Sequence, residues 1–139
     1  MQGHASFWNF RSPWIWVALS VAVAGLAAYN RSLLQAAITP NPIISTNQSI
    51  ARGNALWKLD CEACHGAQGR GDGPATAALR TKPKDLTRIA RPPIFPDGVV
   101  AYRIANGGEV MPAWKNALTE RDIWDLVNFI RAQHTEAVK

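Results

Sequence analysis

The stretch Cys61-Glu62-Ala63-Cys64-His65 contains both cysteines of the 139-residue chain and decides what the rest of the sequence has to build. Cys-x-x-Cys-His is the spacing that attaches a c-type haem. Two thiols three positions apart on one helical turn can bond the two vinyl groups along one porphyrin edge. The adjacent histidine then lies below the iron as its proximal ligand. The motif therefore predicts one covalent haem c, held by Cys61, Cys64 and His65.

Three other chemistries use paired cysteines. A structural zinc ion needs four ligands, and His65 is too close in sequence to close a usual site, which leaves only His4 and His134. A thioredoxin-like redox pair expects a βαβ context that the chain does not show. A disulfide between residues three apart is strained and closes almost no loop, so it would stabilise little. Haem attachment is therefore the favoured interpretation.

Composition limits the remaining function classes. The chain has 15 basic and 10 acidic residues and a net charge of +5, a smaller basic excess than nucleic-acid-binding proteins usually show. A folded part of about 90 residues is thin for a self-sufficient hydrophobic core. A large apolar ligand at the centre would enlarge this core, so the size of the folded part agrees with a haem domain. The small basic excess predicts no nucleic-acid partner.

An uncharged stretch of 19 residues runs from Ser12 to Asn30. As a helix it spans about 28 Å, close to the hydrocarbon thickness of a bilayer. Aromatic residues typical of membrane interfaces lie near its ends: Trp8, Trp14 and Trp16 at one end and Tyr29 at the other. We expect residues 1–30 to form a cytoplasmic N-terminus and a single-pass anchor in membrane lipid.

A cleaved signal peptide is the alternative, with Ala27-Ala28-Tyr29 or Gln35-Ala36-Ala37 as loose cleavage regions. The apolar stretch is longer than a usual signal-peptide core, which favours a retained anchor. Small residues on one face of this helix (Ser20, Ala24 and Ala28) allow close approach of another transmembrane helix, and we expect packing against other membrane subunits. Alanine is also simply common in such helices, so that alternative stays open.

Residues 31–48 are predicted to be a linker, because Pro40 and Pro42 stop helices and turn-forming residues follow them. A helix from about Ile50 to Cys64 comes next, capped by Ser49 or Asn47. Glycine inside a helix is costly, so Gly53 marks a close crossing with the last helix.

The last helix is predicted to begin with a capping box formed by Thr119 and Asp122. Apolar residues at helical spacing follow: Ile123, Trp124, Val127, Phe129 and Ile130. Asp125, Asn128 and Arg131 are expected on other faces of this helix. The apolar residues are therefore assigned to packing and to no chemistry.

These motifs together resemble a class I c-type cytochrome domain, over about Ile50 to Ala132. The matching features are Gly53 and Trp57, the haem motif with Gly66, Gly71-Asp72-Gly73-Pro74, Gly107-Gly108, Met111-Pro112-Ala113-Trp114 and the closing aromatic helix. The resemblance implies an all-α fold: a small class I cytochrome c domain around one covalent haem at residues 49–139, preceded by a single N-terminal transmembrane helix. It also implies that the Pro74 carbonyl accepts the Nδ1–H of His65.

Met111 is the expected sixth ligand, by this resemblance and because the only other methionine, Met1, lies beyond the anchor. A methionine that merely fills the core is the alternative. His134 is a second candidate ligand, at the end of the last helix. Tyr102 and Trp114 are expected to donate hydrogen bonds to the haem propionates, and one or two basic residues of the run from Arg70 to Arg91 to pair with them.

The other basic residues of that run suggest a docking face for acidic redox partner proteins, made of Arg80, Lys82, Lys84 and Arg88. A charge run is also often only a solvated surface. Histidine and methionine together close both axial positions of the iron, which favours electron transfer over chemistry on a small-molecule substrate.

The expectation is therefore an electron carrier and not an enzyme, in a respiratory or photosynthetic complex. In c-type cytochromes the haem lies outside the cytoplasmic membrane, which places this domain on the periplasmic side. The motifs are also similar to mono-haem subunits of quinol-oxidising complexes such as alternative complex III. A haem enzyme or gas sensor with a labile sixth ligand is the alternative function.

Overall fold

The computed structural model describes residues 13–89 and 95–136, and within them the side chains of all residues except 88, 89 and 134–136. The helices are α1 (Pro13–Ile38), α2 (Asn47–Leu56), α3 (Glu62–His65), α4 (Leu86–Ile89), α5 (Asp97–Asn106) and α6 (Glu120–Glu136). A π turn (Trp57–Cys61) joins α2 to α3, and a 3-10 turn (Pro74–Ala78) follows α3. Extended pairing among the described residues is limited to one bridge between Gly108 and Met111. The all-α prediction is confirmed.

The chain divides into two compact units, Met1–Leu34 and Gln35–Lys139. In the first unit, α1 carries large apolar side chains that are exposed along its length, such as Trp14 at 77% and Val21 at 68%. The helix has 26 residues, and its most apolar window has a mean hydropathy of 1.4. Such a helix is about 39 Å long, so it is compatible with a single-pass membrane anchor.

The predicted end of the anchor at residue 30 does not coincide with the end of α1, which continues to Ile38. Good helix formers such as Leu34 and Gln35 extend it until Pro40 stops it. Within the second unit, Ala36 is buried, and a Cβ at Gly98 would collide with its carbonyl oxygen. The backbone of Ala36 and Thr39, in the predicted linker, therefore lies against the start of α5.

Within the second unit, the non-helical residues after α1 are held by hydrogen bonds. Asn41 Nδ2 donates to Asn128 Oδ1 of α6 at 2.8 Å, and Asn41 Oδ1 accepts from the Ile43 backbone at 2.9 Å. Thr46 then caps α2 by accepting the Ser49 N–H on its hydroxyl oxygen. The prediction of Ser49 or Asn47 as the cap was wrong, since Thr46 is the last extended residue before the helix.

The predicted close crossing of α2 with α6 at Gly53 is confirmed. A side chain at Gly53 would collide with the Asp125 carbonyl oxygen and would lie 2.7 Å from Cβ of Phe129. Only glycine lets the two backbones approach this closely. Apolar residues of α6 fill the core beside the crossing, with Trp57 from the π turn: Ile123, Trp124, Leu126, Val127, Phe129 and Ile130.

Two polar residues of α6 lie inside this crossing, although the sequence placed them on other faces. Asp125 is fully buried and Asn128 nearly so. Asp125 accepts hydrogen bonds from Ser49 Oγ at 2.5 Å and from Arg52 Nε at 2.6 Å. Asn128 donates to Ser49 Oγ at 2.8 Å. The prediction was wrong because helical periodicity alone does not show that a polar side chain has partners on the facing helix.

The pKa of Asp125 reflects these contacts. Burial raises the pKa, but the hydrogen bonds from Arg52 and Ser49 and the positive charges of Arg52 and Arg121 outweigh it, so the net shift is downward. Asp125 is therefore ionised and paired at neutral pH.

The start of α6 agrees with the predicted capping box. The Asp122 N–H donates to Thr119 Oγ1 at 3.2 Å, and the Thr119 N–H donates to Asp122 Oδ2 at 3.0 Å. Each residue satisfies a backbone donor that the first turn leaves unpaired.

Candidate haem-binding site

The helix predicted over Ile50 to Cys64 is interrupted by the π turn, which includes Cys61, the first residue of the haem motif. The Glu62 N–H donates to the Trp57 carbonyl, five residues earlier, instead of to the residue four earlier. Within the π turn, Trp57 is 2% exposed and packs in the core, whereas Leu59 is 79% exposed. Such turns occur often at functional sites, and here the turn sets the direction in which Cys61 enters α3.

The cysteines of the motif carry free thiols and are half-buried. Burial, with smaller contributions from Asp60 and Cys64, raises the pKa of Cys61 to about 12. Burial also lowers the pKa of His65. Its imidazole is therefore neutral at pH 7, which is the form that ligates a metal.

The loop after α3 folds back over the haem motif. The Gly71 N–H donates to the His65 carbonyl at 2.8 Å, and Thr76 Oγ1 donates to the Cys64 carbonyl at 3.0 Å. Gly66 ends α3 at a φ of 79°, a conformation that glycine adopts without strain. A side chain at Gly73 would collide with the Ala63 carbonyl. These contacts fix the backbone that presents Cys64 and His65.

The imidazole of His65 lies behind this loop, with its ring centroid 5.7 Å from that of Trp57. Its Nδ1 atom is buried and forms no hydrogen bond with the described residues. Pro74, the expected acceptor, is exposed at the start of the 3-10 turn and does not accept from Nδ1 in this structure. The Pro74–His65 bond therefore stays a prediction.

Met111 lies in a tight turn that the backbone closes twice. The Gly108 N–H donates to the Met111 carbonyl at 2.9 Å, and the Met111 N–H donates to the Gly108 carbonyl at 2.8 Å. Met111 is half-buried and packs against the core cluster that Cys61 and Trp114 also contact. The structure thus brings three predicted site residues to one core, whereas Tyr102 is half-buried on α5 outside that cluster.

Arg103, near this turn, was not identified from the sequence. Its Nη1 donates to the Gly107 carbonyl at 3.0 Å. Phe129, which the sequence assigned to packing, lies behind Trp57 with the ring centroids 5.7 Å apart. Arg103 precedes the helix-ending Gly107 by one turn, and a basic residue in that position often bonds the last carbonyls of a helix. That spacing was an available signal.

The predicted docking residues Arg80, Lys82 and Lys84 are exposed. The side chains of Arg88 and His134, and all of Arg91, lie outside the described residues. For the zinc alternative, the described residues contain no group of three or more histidine, cysteine or acidic side chains placed to hold a metal ion.

A neutral imidazole with a buried Nδ1 atom follows two cysteines on one helical turn, and Met111 packs on the core that Cys61 also contacts. The donor set fits a covalently attached haem, and the fold and site together define a c-type cytochrome domain. Residues 48–130 match the family model described as cytochrome C oxidase, cbb3-type, subunit III. The chain belongs to this family of class I c-type cytochrome domains, whose members bind haem c covalently.

Similar proteins agree with this assignment. The chain is 30% identical over 84 residues to cytochrome c6 of Alaria esculenta and 29% identical to that of Petalonia fascia, covering 91% and 92% of those proteins and 60% of this chain in each case. It also resembles a chain of the Kuenenia stuttgartiensis reducing HAO-like protein complex, with a TM-score of 0.57 and 28% identity. That likeness covers 66% of this chain and 46% of the other.

These relationships imply electron transfer as the function of the domain, and the cytochrome c relatives support an electron carrier over an enzyme. The resemblance to class I c-type cytochromes expected from the sequence is thereby confirmed.

Proposed function

We propose that this protein is a membrane-anchored mono-haem cytochrome c that passes single electrons, as a subunit of a respiratory or photosynthetic complex. Cys61 and Cys64 hold the haem, and His65 and Met111 bind its iron. The observation that carries the proposal is that Cys61 of the haem motif and Met111 pack against one core cluster, and that Trp57 of this cluster contacts the His65 ring. When bound, the haem supplies a one-electron ferric/ferrous couple.

The chain's own residues position and enclose that couple. The buried Trp57 packs beside the His65 ring and Phe129 packs against Trp57, so these apolar side chains would keep water from this part of the site. Two backbone hydrogen bonds with Gly108 hold Met111 in its turn after α5. His65 and Met111 would together hold the iron and leave no position for a substrate, which is what an electron relay requires.

Haem stoichiometry tests the cofactor assignment. The protein is expressed with a cytochrome c maturation system, and its haem is measured by the pyridine haemochrome spectrum and by haem staining after denaturing electrophoresis. We expect one haem per chain that resists denaturation, and less covalent haem in Cys61→Ala and Cys64→Ala. A wild-type chain without covalent haem would overturn the proposal.

The anchor and subunit role rest on α1 and on the family. α1 exposes apolar side chains along a length sufficient for a bilayer, and the matching family model is named for a subunit of a cbb3-type oxidase. Membranes from the native organism should retain the protein after carbonate washing, and mild detergent should release it with integral membrane subunits. Recovery of a soluble, solitary protein would contradict this role.

The periplasmic placement can be tested separately. Alkaline phosphatase fused after Lys139 should be active in cells, and the same fusion to a chain that lacks residues 1–30 should be inactive because that chain stays in the cytoplasm. Equal activity of the two fusions, or inactivity of the full-length one, would exclude the proposed orientation.

The exposed side chains of Arg80, Lys82 and Lys84 support an electrostatic docking face for an acidic redox partner. Arg88 joins this face from the sequence alone. Rates of electron transfer with an acidic partner protein should fall as salt rises, because interactions between exposed charges are screened within about 10 Å at 0.1 M ionic strength. The variant Lys82→Gln/Lys84→Gln should flatten that profile. The exposed Lys58→Gln serves as a control outside this run. A flat wild-type profile would remove the docking role.

A haem enzyme or gas sensor is the second candidate, because Glu109 holds a positive φ of 49° beside Met111. A strained turn is a place where a ligand loop can open. Rapid CO binding by the ferrous protein would favour this function, and slow binding limited by Met111 dissociation would favour the electron carrier.

A further inference from the structure

The two ends of the Met111 loop (residues 107–114) are fastened to the last turns of α5. At the far end, the Trp114 N–H donates to the Ile104 carbonyl at 3.2 Å, and the following Lys115 N–H donates to the Ala105 carbonyl at 3.1 Å. At the near end, the Gly107 N–H donates to the Arg103 carbonyl at 2.8 Å. The orphan carbonyls at the end of the helix therefore hold the loop.

Arg103 makes a further contact with this loop through its side chain. Its Nη1 donates to the Gly107 carbonyl at 3.0 Å, so Gly107 is held through both its N–H and its carbonyl by the same residue. A Cβ at Gly108 would collide with Nη1 and would lie 3.3 Å from Cζ, which shows that the guanidinium lies against the Gly108 backbone. A cation at a helix C-terminus is also favoured by the helix dipole.

The loop needs such support because its turn is not relaxed. Glu109 has a φ of 49°, in a region that non-glycine residues seldom occupy and that strains the backbone. The loop also closes tightly: a side chain at Gly107 would lie 2.7 Å from the Pro112 carbonyl carbon and 2.8 Å from the Ala113 nitrogen. Any movement of Gly107 is therefore transmitted to both sides of Met111.

From these contacts we propose that Arg103 is a positioning residue for Met111, which keeps the loop in the conformation that holds the thioether on the iron. Arg103 acts through the Gly107 carbonyl and the Gly108 backbone. This inference rests on the proposed ligation by Met111.

The test compares Arg103→Gln, Arg103→Lys and the control Arg121→Gln, which removes an exposed arginine from α6. Two signals report ligation directly: the methionine-to-iron charge-transfer band of the ferric protein as pH is raised, and the rate of CO binding to the ferrous protein. Losing a charge-assisted hydrogen bond should make Met111 dissociate about tenfold more readily in Arg103→Gln. CO binding should then be about tenfold faster, and the band should be lost at a lower pH.

Arg103→Lys keeps the charge but loses the planar fork, so its rates should lie between those of the wild type and Arg103→Gln. Arg121→Gln should behave as the wild type. If Arg103→Gln incorporates no haem, the test uses Arg103→Lys alone. We then expect Arg103→Lys to bind CO faster than the wild type.

The outcomes separate this inference from the function on which it rests. A wild-type protein without the charge-transfer band would show that Met111 is not the ligand. A wild-type band, with the Arg103 variants matching Arg121→Gln in CO binding and pH dependence, would overturn only the role of Arg103. A lower unfolding midpoint with unchanged ligation would also overturn it, since that is the effect of a purely structural residue.

Discussion

Two regions of the molecule, the crossing of α2 with α6 and the Met111 loop, are stabilised by different kinds of contact. At the crossing, the Gly53 backbone lies against that of Asp125, and fully buried side chains surround the contact. In the loop, Met111 is half-buried, and backbone hydrogen bonds with one exposed arginine hold a turn that contains a positive φ. Many packing contacts therefore stabilise the crossing, whereas the conformation of the loop depends on a few hydrogen bonds. Substitutions at the crossing should therefore change global stability, and those in the loop should change ligation of the iron.

The largest effect is expected for Gly53→Ala. The added methyl would overlap the Asp125 carbonyl and press on Phe129, so the helices would have to separate. Overpacking of this kind costs about 3 kcal/mol of unfolding free energy, measured by denaturant unfolding of the haem-loaded protein. Gly25→Ala is the matched control, because a Cβ there meets nothing within 4 Å. Equal stability of the two variants would refute the close crossing.

Asp125→Asn tests the polar contacts inside the same crossing. The amide keeps the shape but weakens the hydrogen bonds from Ser49 and Arg52, and we expect a loss of about 2 kcal/mol in unfolding free energy. Arg52 is partly exposed and can be solvated, which limits the loss. The exposed Glu120→Gln is a control that removes one acidic charge from α6 outside these contacts. Similar losses in both variants would show that the buried pairing contributes nothing specific.

The same residue predicts a pH dependence. The pKa of folded Asp125 lies below its unfolded value of about 3.9, so its contribution is fully present above that pH. It is lost as the pH falls through the folded pKa. Stability between about pH 5 and pH 2 should fall less steeply in Asp125→Asn than in the wild type. Parallel profiles would contradict the downward pKa shift.

A smaller effect of opposite sign is expected in the loop. Glu109→Gly removes the cost of a positive φ, offset in part by the entropy of glycine, and should stabilise the Met111 turn by about 0.5–1 kcal/mol. The charge-transfer band should then persist to higher pH. Glu109→Ala removes the charge but keeps the strain, so it should not give this gain. An equal gain in both variants would assign the effect to charge and not to backbone strain.

The sequence predicted this molecule best where one residue type has one physical meaning. The Cys-x-x-Cys-His motif, a glycine inside a helix and a threonine–aspartate capping box each gave the correct local structure or family. The errors arose where a residue has several possible partners. Ser49 was predicted as a cap but bonds Asp125, which was itself expected away from the core.

Backbone register explains the remaining differences. The π turn at Trp57–Cys61 adds one residue to a helical turn, and no propensity of these residues indicates it. The continuation of α1 to Ile38 was missed because the linker was assigned from its prolines and not from the helix formers before them. The contact of Arg103 with Gly107 was also missed, although a basic residue one turn before a helix-ending glycine was an available signal.

The central claim is that Met111 binds the iron opposite His65 and makes this domain a closed electron relay. The most direct test is the ferric absorption spectrum of purified haem-loaded wild type beside Met111→Ala. The account predicts a methionine-to-iron charge-transfer band in the wild type that is absent from the variant, with the covalent haem retained in both. Identical spectra in the two proteins would contradict it.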